Sequence, residues 1–212
     1  MQKYEFVHRL VQDFPELKFT LNGGIDTLSH AQRELEACSE LNGVMIGRGF
    51  AADPWSFSLA DKLLYKASPI PTIESTGKTM KNRLQLLTEY GKHADAEEES
   101  GDPVKIRRFI TKAVTTLFTS EPNAKQYRIA LDEIARLPKQ LESEGKCLQT
   151  HPPLSELILN AAHSHISEEV LLRTPEESYE KKIYEESKAN ERLGRSSAVL
   201  NWQSSRLMTQ NE

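Results

Sequence analysis

Two short apolar runs, each stopped by glycine and separated by a helical stretch, constrain the fold of this chain more than any other feature. Leu17-Lys18-Phe19-Thr20-Leu21 runs into Asn22-Gly23-Gly24. About 25 residues further on, the length of one βα unit, Val44-Met45-Ile46 runs into Gly47-Arg48-Gly49. Both runs read as strands that end in tight turns. Between them the apolar spacing predicts a helix from about Thr27 to Leu41, with Asp26 or Thr27 as its N-cap. Ahead of the first run, Tyr4, Phe6, Val7, Leu10 and Val11 recur at helical spacing, and Pro15 closes that helix. After the second run, Asp53-Pro54 opens another helix, with Asp at the cap and Pro in the first turn. Helix, strand, helix, strand, helix implies parallel strands joined by crossovers. Two such strands cannot close a barrel or bury both faces. A larger α/β unit is therefore expected, with its missing part before Met1.

From Pro69 the pattern turns wholly helical. Pro69 and Pro71 are expected to form a linker. Met80, Leu84, Leu87 and Tyr90 make one apolar stripe, with Gly91 as the expected C-cap and His93 to Gly101 as an acidic loop. Asp102-Pro103 opens a second helix carrying Ile106, Ile110, Val114, Leu117 and Phe118. Glu121-Pro122 opens a third, with Tyr127, Leu131 and Ile134. Short loops between such helices predict a small antiparallel bundle. Leu154 to Leu172 keeps helical spacing and is expected to pack on that bundle, Glu176 to Arg192 is dense in charge, and the Ser- and Gln-rich end from Arg195 to Glu212 reads as partly disordered. The expected fold class is α/β plus all-α. Residues 1–68 are expected to form the βα part of a larger α/β unit, 69–140 a helical bundle domain, and 141–212 a helical extension with its tail.

Composition limits the function classes. With 38% hydrophobic residues in 212, a core can form but not a large one, and a net charge of -4 excludes a generally basic nucleic-acid binder. A local basic face remains open, because charge placement matters as well as its sum. The two cysteines, Cys38 and Cys147, stand in unrelated contexts without CxxC spacing. A disulfide framework and a zinc site are both disfavoured, which fits a reducing compartment, cytoplasmic or organellar. No apolar run approaches a membrane span, and the opening residues mix charge with apolar side chains, unlike a secretory signal.

The glycine turns carry the chemistry. In (β/α)8 barrels the loops after the last two strands often build a phosphate site. Glycine lets backbone N–H groups approach an anion without a Cβ in the way, and a following helix N-terminus adds partial positive charge. Arg48 would add a bidentate contact. Two ordinary turns ending buried strands account for the same residues, and turn chemistry alone does not decide between these readings. The stretch LKFTLNGGIDTLSHAQRELEACSELNGVMIGRGFAADPWSF resembles the segment from the seventh to the eighth barrel strand of the tRNA-dihydrouridine synthases, nearest their bacterial A-type branch. The resemblance extends over roughly residues 1 to 137. It includes Tyr4 to Leu17 and, in the helical region, Leu117-Phe118 with Pro122-Asn123-Ala124-Lys125-Gln126-Tyr127-Arg128.

That resemblance implies a TIM barrel followed by a tRNA-gripping helical domain. It implies reduction of the C5–C6 bond of uridines in tRNA by FMN, with NADPH as the reductant. Asn22, Gly23, Gly24, Gly47 and Arg48 match positions lining the flavin phosphate. The family's proton-donating cysteine lies on an earlier loop, and neither Cys38 nor Cys147 matches it, so no catalytic residue is assigned and the chain alone is expected to be inactive. Cys38 is expected to be a small buried side chain. From Val104 to Lys139 basic residues exceed acidic ones by about five. Arg107, Arg108, Lys112, Lys125 and Arg128 are the expected tRNA contacts, and a solvated charged face is the plainer reading of the same residues. The chain departs from the family's pattern at Lys112-Ala113, where Arg-His is frequent, and at Thr116 and Ser120, where glycine is frequent. Ser75-Thr76-Gly77-Lys78-Thr79 is similar to the end of a phosphate-binding P-loop but lacks its first glycine and a preceding strand. His163 and His165 are spaced to face different ways on a helix, against a metal site. Alternatives are a non-catalytic RNA-binding or scaffolding module with a vestigial barrel segment, and another flavin barrel. Two parallel strands with open edges predict self-association or dependence on the missing barrel portion.

Overall fold

The computed structural model describes residues 3–64, 81–145 and 152–192. The expected Pro69–Pro71 linker, Ser75–Thr79, Cys147 and the tail from Arg195 lie outside the described residues. The chain divides into two compact units, Met1–Arg173 and Thr174–Glu212.

The first unit opens with α1 (Glu5–Asp13), β1 (Thr20–Asn22), α2 (Leu28–Ala37) and β2 (Gly43–Met45). The strands pair in parallel with Thr20 opposite Gly43, Leu21 opposite Val44 and Asn22 opposite Met45, the arrangement the crossover pattern requires. Strand β1 is shorter than its apolar run and β2 begins one residue before its own, because among the described residues each has one neighbour and the ladder ends where pairing ends. Thr27 caps α2 as expected, its side chain accepting from the His30 amide at 3.1 Å. Then follow α3 (Arg48–Ala52), a 3-10 turn (Pro54–Phe57) and α4 (Ala60–Leu64). Asp53 precedes Pro54 at the cap position, yet its side chain makes no cap bond. Its carbonyl accepts from the Ser56 hydroxyl at 2.8 Å instead. A small core of Val11, Leu21, Ile25, Ala31, Cys38 and Leu41 holds α1, α2 and the strands together.

The helical part comprises α5 (Arg83–Ser100), α6 (Pro103–Val114), α7 (Ala124–Ser143), α8 (Leu154–His165) and α9 (Glu168–Leu172). Helix α5 runs straight through His93 to Ser100, which corrects the expected acidic loop, and Gly91 is an interior residue of it rather than a C-cap. The reason lies across the bundle. A Cβ at Gly91 would stand 2.8 Å from the Ser155 Cβ, so glycine here lets α5 and α8 approach closely. The stretch after it is helical because Ala94 is buried in that contact and Asp95 caps α8, accepting from the Ser155 amide at 2.8 Å and its hydroxyl at 2.5 Å. Asp102 caps α6, its carboxylate accepting from Val104 N at 3.0 Å. Helix α7 starts at Ala124, later than Glu121-Pro122, because Ser120 and Asn123 hold φ of 65° and 60° and turn the chain first. Leu154 to Leu172 packs on the bundle as two helices, broken at Ile166 and recapped by Ser167.

Leu87, Phe118, Tyr127, Leu131, Leu154 and Ile158 form the centre of the larger core, with Phe118 and Tyr127 edge to face at 4.9 Å. Trp55, from the turn after α3, is a buried member of this same core. The second unit is described as α10 (Pro175–Arg192), where Thr174 accepts from the Glu177 amide and the Ser178 hydroxyl at its start.

Candidate functional site

The in-register strand pair brings both glycine turns to one edge. Asn22 and Met45 are opposite partners, so Gly23-Gly24 and Gly47-Arg48 leave the sheet side by side at its C-terminal end. Gly23 and Gly24 hold φ of 117° and 66°, a region where a Cβ is costly. Gly47 sits at φ -107° with only the Met45 sulfur, at 3.8 Å, near a would-be Cβ, so glycine there leaves open space rather than relieving strain. The steric demand of the second turn falls instead on Gly49, where a Cβ would meet the Asp26 carbonyl oxygen at 2.6 Å. The two turns are therefore pressed together, backbone on Cα, through Gly49 and Asp26. Sequence reading passed over this partner of the site, and the signal for it was the third residue of Gly47-Arg48-Gly49. Tyr4 anchors the first turn from α1, its hydroxyl donating to the Gly23 carbonyl at 2.8 Å, and the His30 ring lies against it at 5.7 Å.

Asn22, Gly24, Gly47 and Arg48 are exposed, and Arg48 has no carboxylate partner among the described residues. An anion approaching this edge meets a backbone clear of Cβ atoms at three positions and a free guanidinium. Those features suit a phosphate monoester. Helix α3 has five residues, so its dipole adds little and the backbone and Arg48 carry the fit. Among the described residues, no group of three His, Cys, Asp or Glu side chains is placed to hold a metal ion. Cys38 is buried among the small core, with its thiol toward Glu40 at 3.8 Å.

The expected basic residues separate into two kinds. Arg107 does not join the outer face: it is 1% exposed, and its Nε and Nη2 both donate to the Glu98 carboxylate of α5. Helical geometry dictates this, since 107, 110, 111 and 114 form the buried stripe of α6. Arg108 and Lys112 on α6, and Lys125 and Arg128 on α7, are exposed and unpaired with carboxylates among the described residues. Of the departures from the family's pattern, Thr116 donates to the Ala51 carbonyl at 2.9 Å. Thr119, three residues on, donates to the Ala52 carbonyl at 2.6 Å. These bonds tie the end of α3 to the bundle. The family-model match runs over residues 1–152 and is to the dihydrouridine synthases. This chain belongs to the dihydrouridine synthase family. It is 28% identical over 131 residues to the tRNA-dihydrouridine(20/20a) synthase of Synechocystis sp., covering 62% of this chain and 35% of that protein. It is 30% identical over 135 residues to the enzyme of that name from Yersinia pestis, covering 64% and 35%. The chain thus matches about a third of the length of these curated relatives. The dihydrouridine synthase match spans both the glycine turns and helices α5 to α7.

A buried ion cluster that sequence reading did not anticipate joins these parts. Arg83 donates to the carbonyls of Leu117 and Val170 at 3.2 and 3.4 Å and to Glu121 at 3.2 Å. Its guanidinium stacks on the Trp55 ring at 4.8 Å and lies over Phe118 at 5.6 Å. Glu121 also accepts from Arg173 at 2.8 Å. Burial pulls Arg83 down to about 10, against the pull of Glu121, so it remains charged at neutral pH. Burial also lowers Arg173, but its bonds to Glu169 and Glu121 outweigh that and leave it raised. The cluster seats the Asp53-Pro54-Trp55 turn, and with it α3 and Arg48, on the bundle.

Proposed function

We propose that this chain supplies the last two βα units and the tRNA-binding helices of a tRNA-dihydrouridine synthase. The observation that carries the reading is the in-register edge where Gly23-Gly24 and Gly47-Arg48 emerge together, in a chain of this family. Bound FMN, reduced by NADPH, would supply the hydride, and a protein acid the proton, that together saturate the C5–C6 bond of uridine. Asn22, Gly23, Gly24, Gly47 and Arg48 hold the flavin phosphate, with Tyr4 and Gly49 keeping the two turns in place. Arg108, Lys112, Lys125 and Arg128 grip tRNA phosphates, and Arg107 supports their helix from within. The donor of the proton that accompanies the hydride is outside this set, since Cys38 is buried in the small core. The α/β part of this chain leaves Phe6, Leu10, Phe14, Leu17, Met45 and Phe50 exposed, which supports completion by further βα units. Residues 69–140 act as the RNA-binding domain and 141–212 as its extension.

The test is an assay of unmodified tRNA with FMN and NADPH, reading dihydrouridine by its two extra hydrogens in mass spectrometry. The chain is assayed alone and with the remaining barrel units of a relative added as a second polypeptide. Product only with both supports the proposal. No product in either contradicts it, and product from the chain alone places the proton donor within these residues. The bundle's own large core also favours a second reading, a non-catalytic RNA-binding or scaffolding module. That reading expects tRNA binding with no product under either condition.

A further inference from the structure

Helix α6 carries two stripes of opposite character. Arg107, Ile110, Thr111 and Val114 are buried, whereas Lys105, Arg108, Phe109 and Lys112, at i, i+3, i+4 and i+7, are exposed. Phe109 is 73% exposed, more than any other large apolar side chain among the described residues. It stands between Arg108 and Lys112, which have no carboxylate partner among the described residues, and Lys105 pairs with the exposed Asp102 at 3.5 Å. An aromatic ring offered to water along the edge of a cationic stripe loses apolar burial for nothing unless something covers it. A protein partner would be expected to find further apolar side chains around the ring. Here the ring's neighbours on its stripe are cations. That combination suits a nucleotide, whose base offers a flat π-face and whose flanking phosphates offer negative charge.

We propose that the exposed stripe of α6 is a stacking site for an unpaired RNA base, with Phe109 under the base and Arg108 and Lys112 on the flanking phosphates. The site rests on the RNA reading of α6 and adds to it a preference for single-stranded or looped segments over duplex. Stacked base pairs within a duplex leave no π-face for Phe109, so the ring contributes only where a base is free.

The test uses the full 212-residue chain and fluorescence anisotropy with two labelled RNAs of equal length, a hairpin with an unpaired loop and a blunt duplex. Phe109→Leu keeps an apolar side chain and removes the π-face, and Phe109→Tyr keeps the ring. Because the side chain is exposed, both variants are expected to retain the wild-type circular dichroism and melting. The expected result is a hairpin affinity about tenfold lower for Phe109→Leu, near wild type for Phe109→Tyr, and a duplex affinity unchanged by either. Arg108→Ala and Lys112→Ala should weaken both RNAs and flatten the salt dependence. Hairpin binding unchanged in Phe109→Leu, with Arg108→Ala still weakened, would overturn the stacking site and leave a phosphate-reading face. Loss of effect in all these variants would overturn the RNA reading of α6 itself. A wild-type dimer that Phe109→Leu dissolves, seen by sedimentation with RNA binding intact, would also overturn the proposal and assign the ring to a protein interface.

Discussion

Ser120 holds φ 65°, where a Cβ crowds the following carbonyl and glycine does not. It is also a position where the family's pattern favours glycine, so the departure and the strain coincide on one residue. Ser120→Gly is expected to stabilise the chain by about 1 kcal/mol, net of the entropy glycine gains on unfolding, read as a raised urea midpoint at unchanged slope. Tyr127 is the opposite case, a fully buried ring whose hydroxyl has no hydrogen-bond partner. Removing that hydroxyl in Tyr127→Phe should be neutral or stabilising by up to about 1 kcal/mol at neutral pH, since an unmet polar group is costly inside. Burial, with a smaller contribution from Tyr90, raises Tyr127 well above its ordinary value of 10.0. Above about pH 10 the unfolded chain releases this proton and the folded one keeps it, so stability falls as pH rises. Tyr127→Phe should lessen that alkaline loss, measured as melting temperature between neutral pH and the alkaline limb.

The N-caps at Thr27 and Asp102 were legible in the sequence because they are local, each bonding an amide within three residues, whereas Asp53 and Gly91 do not cap. The apolar stripes of α6 and α7 were legible for the same reason, except that Leu117 and Phe118, expected on α6, lie in the turn beyond its end at Val114 and join the core from there. His93 to Ser100 was not, because its helicity depends on α8, far away in sequence. Asp95 is the residue through which that dependence acts, and Asp95→Ala should cost about 1 to 2 kcal/mol by leaving the start of α8 uncapped. Circular dichroism and urea melts would show it, and an effect within error would mean that the packing at Gly91 suffices. The basic residues of α6 divide on the same principle. Arg107 and Arg108 are neighbours in composition but face opposite ways, and only the α5 carboxylate of Glu98 explains how a charge lies buried there.

At the scale of the whole molecule, the glycine turns were legible as a pair and the parallel direction of their strands followed from the crossover pattern, whereas the register that sets them side by side came only from the structure. The joint between α3 and the bundle was not. It is made by Trp55, Arg83, Thr116 and Thr119, drawn from distant parts of the chain and matched only on folding. This joint fixes Arg48 relative to α6 and α7, as the proposed flavin site serving a tRNA uridine would require. Among the described residues no helix is long and apolar enough to cross a membrane. Under the proposed function, the edge formed by Asn22, Gly23, Gly24, Gly47 and Arg48 takes the flavin phosphate. The most direct measurement is the phosphorus NMR signal of FMN titrated with the chain, alongside riboflavin followed by its fluorescence. The expected result is broadening and shift of the FMN phosphate, abolished in Arg48→Ala, with no binding of riboflavin. Riboflavin bound as well as FMN, or an Arg48→Ala titration identical to wild type, would contradict the assignment of this edge to the phosphate.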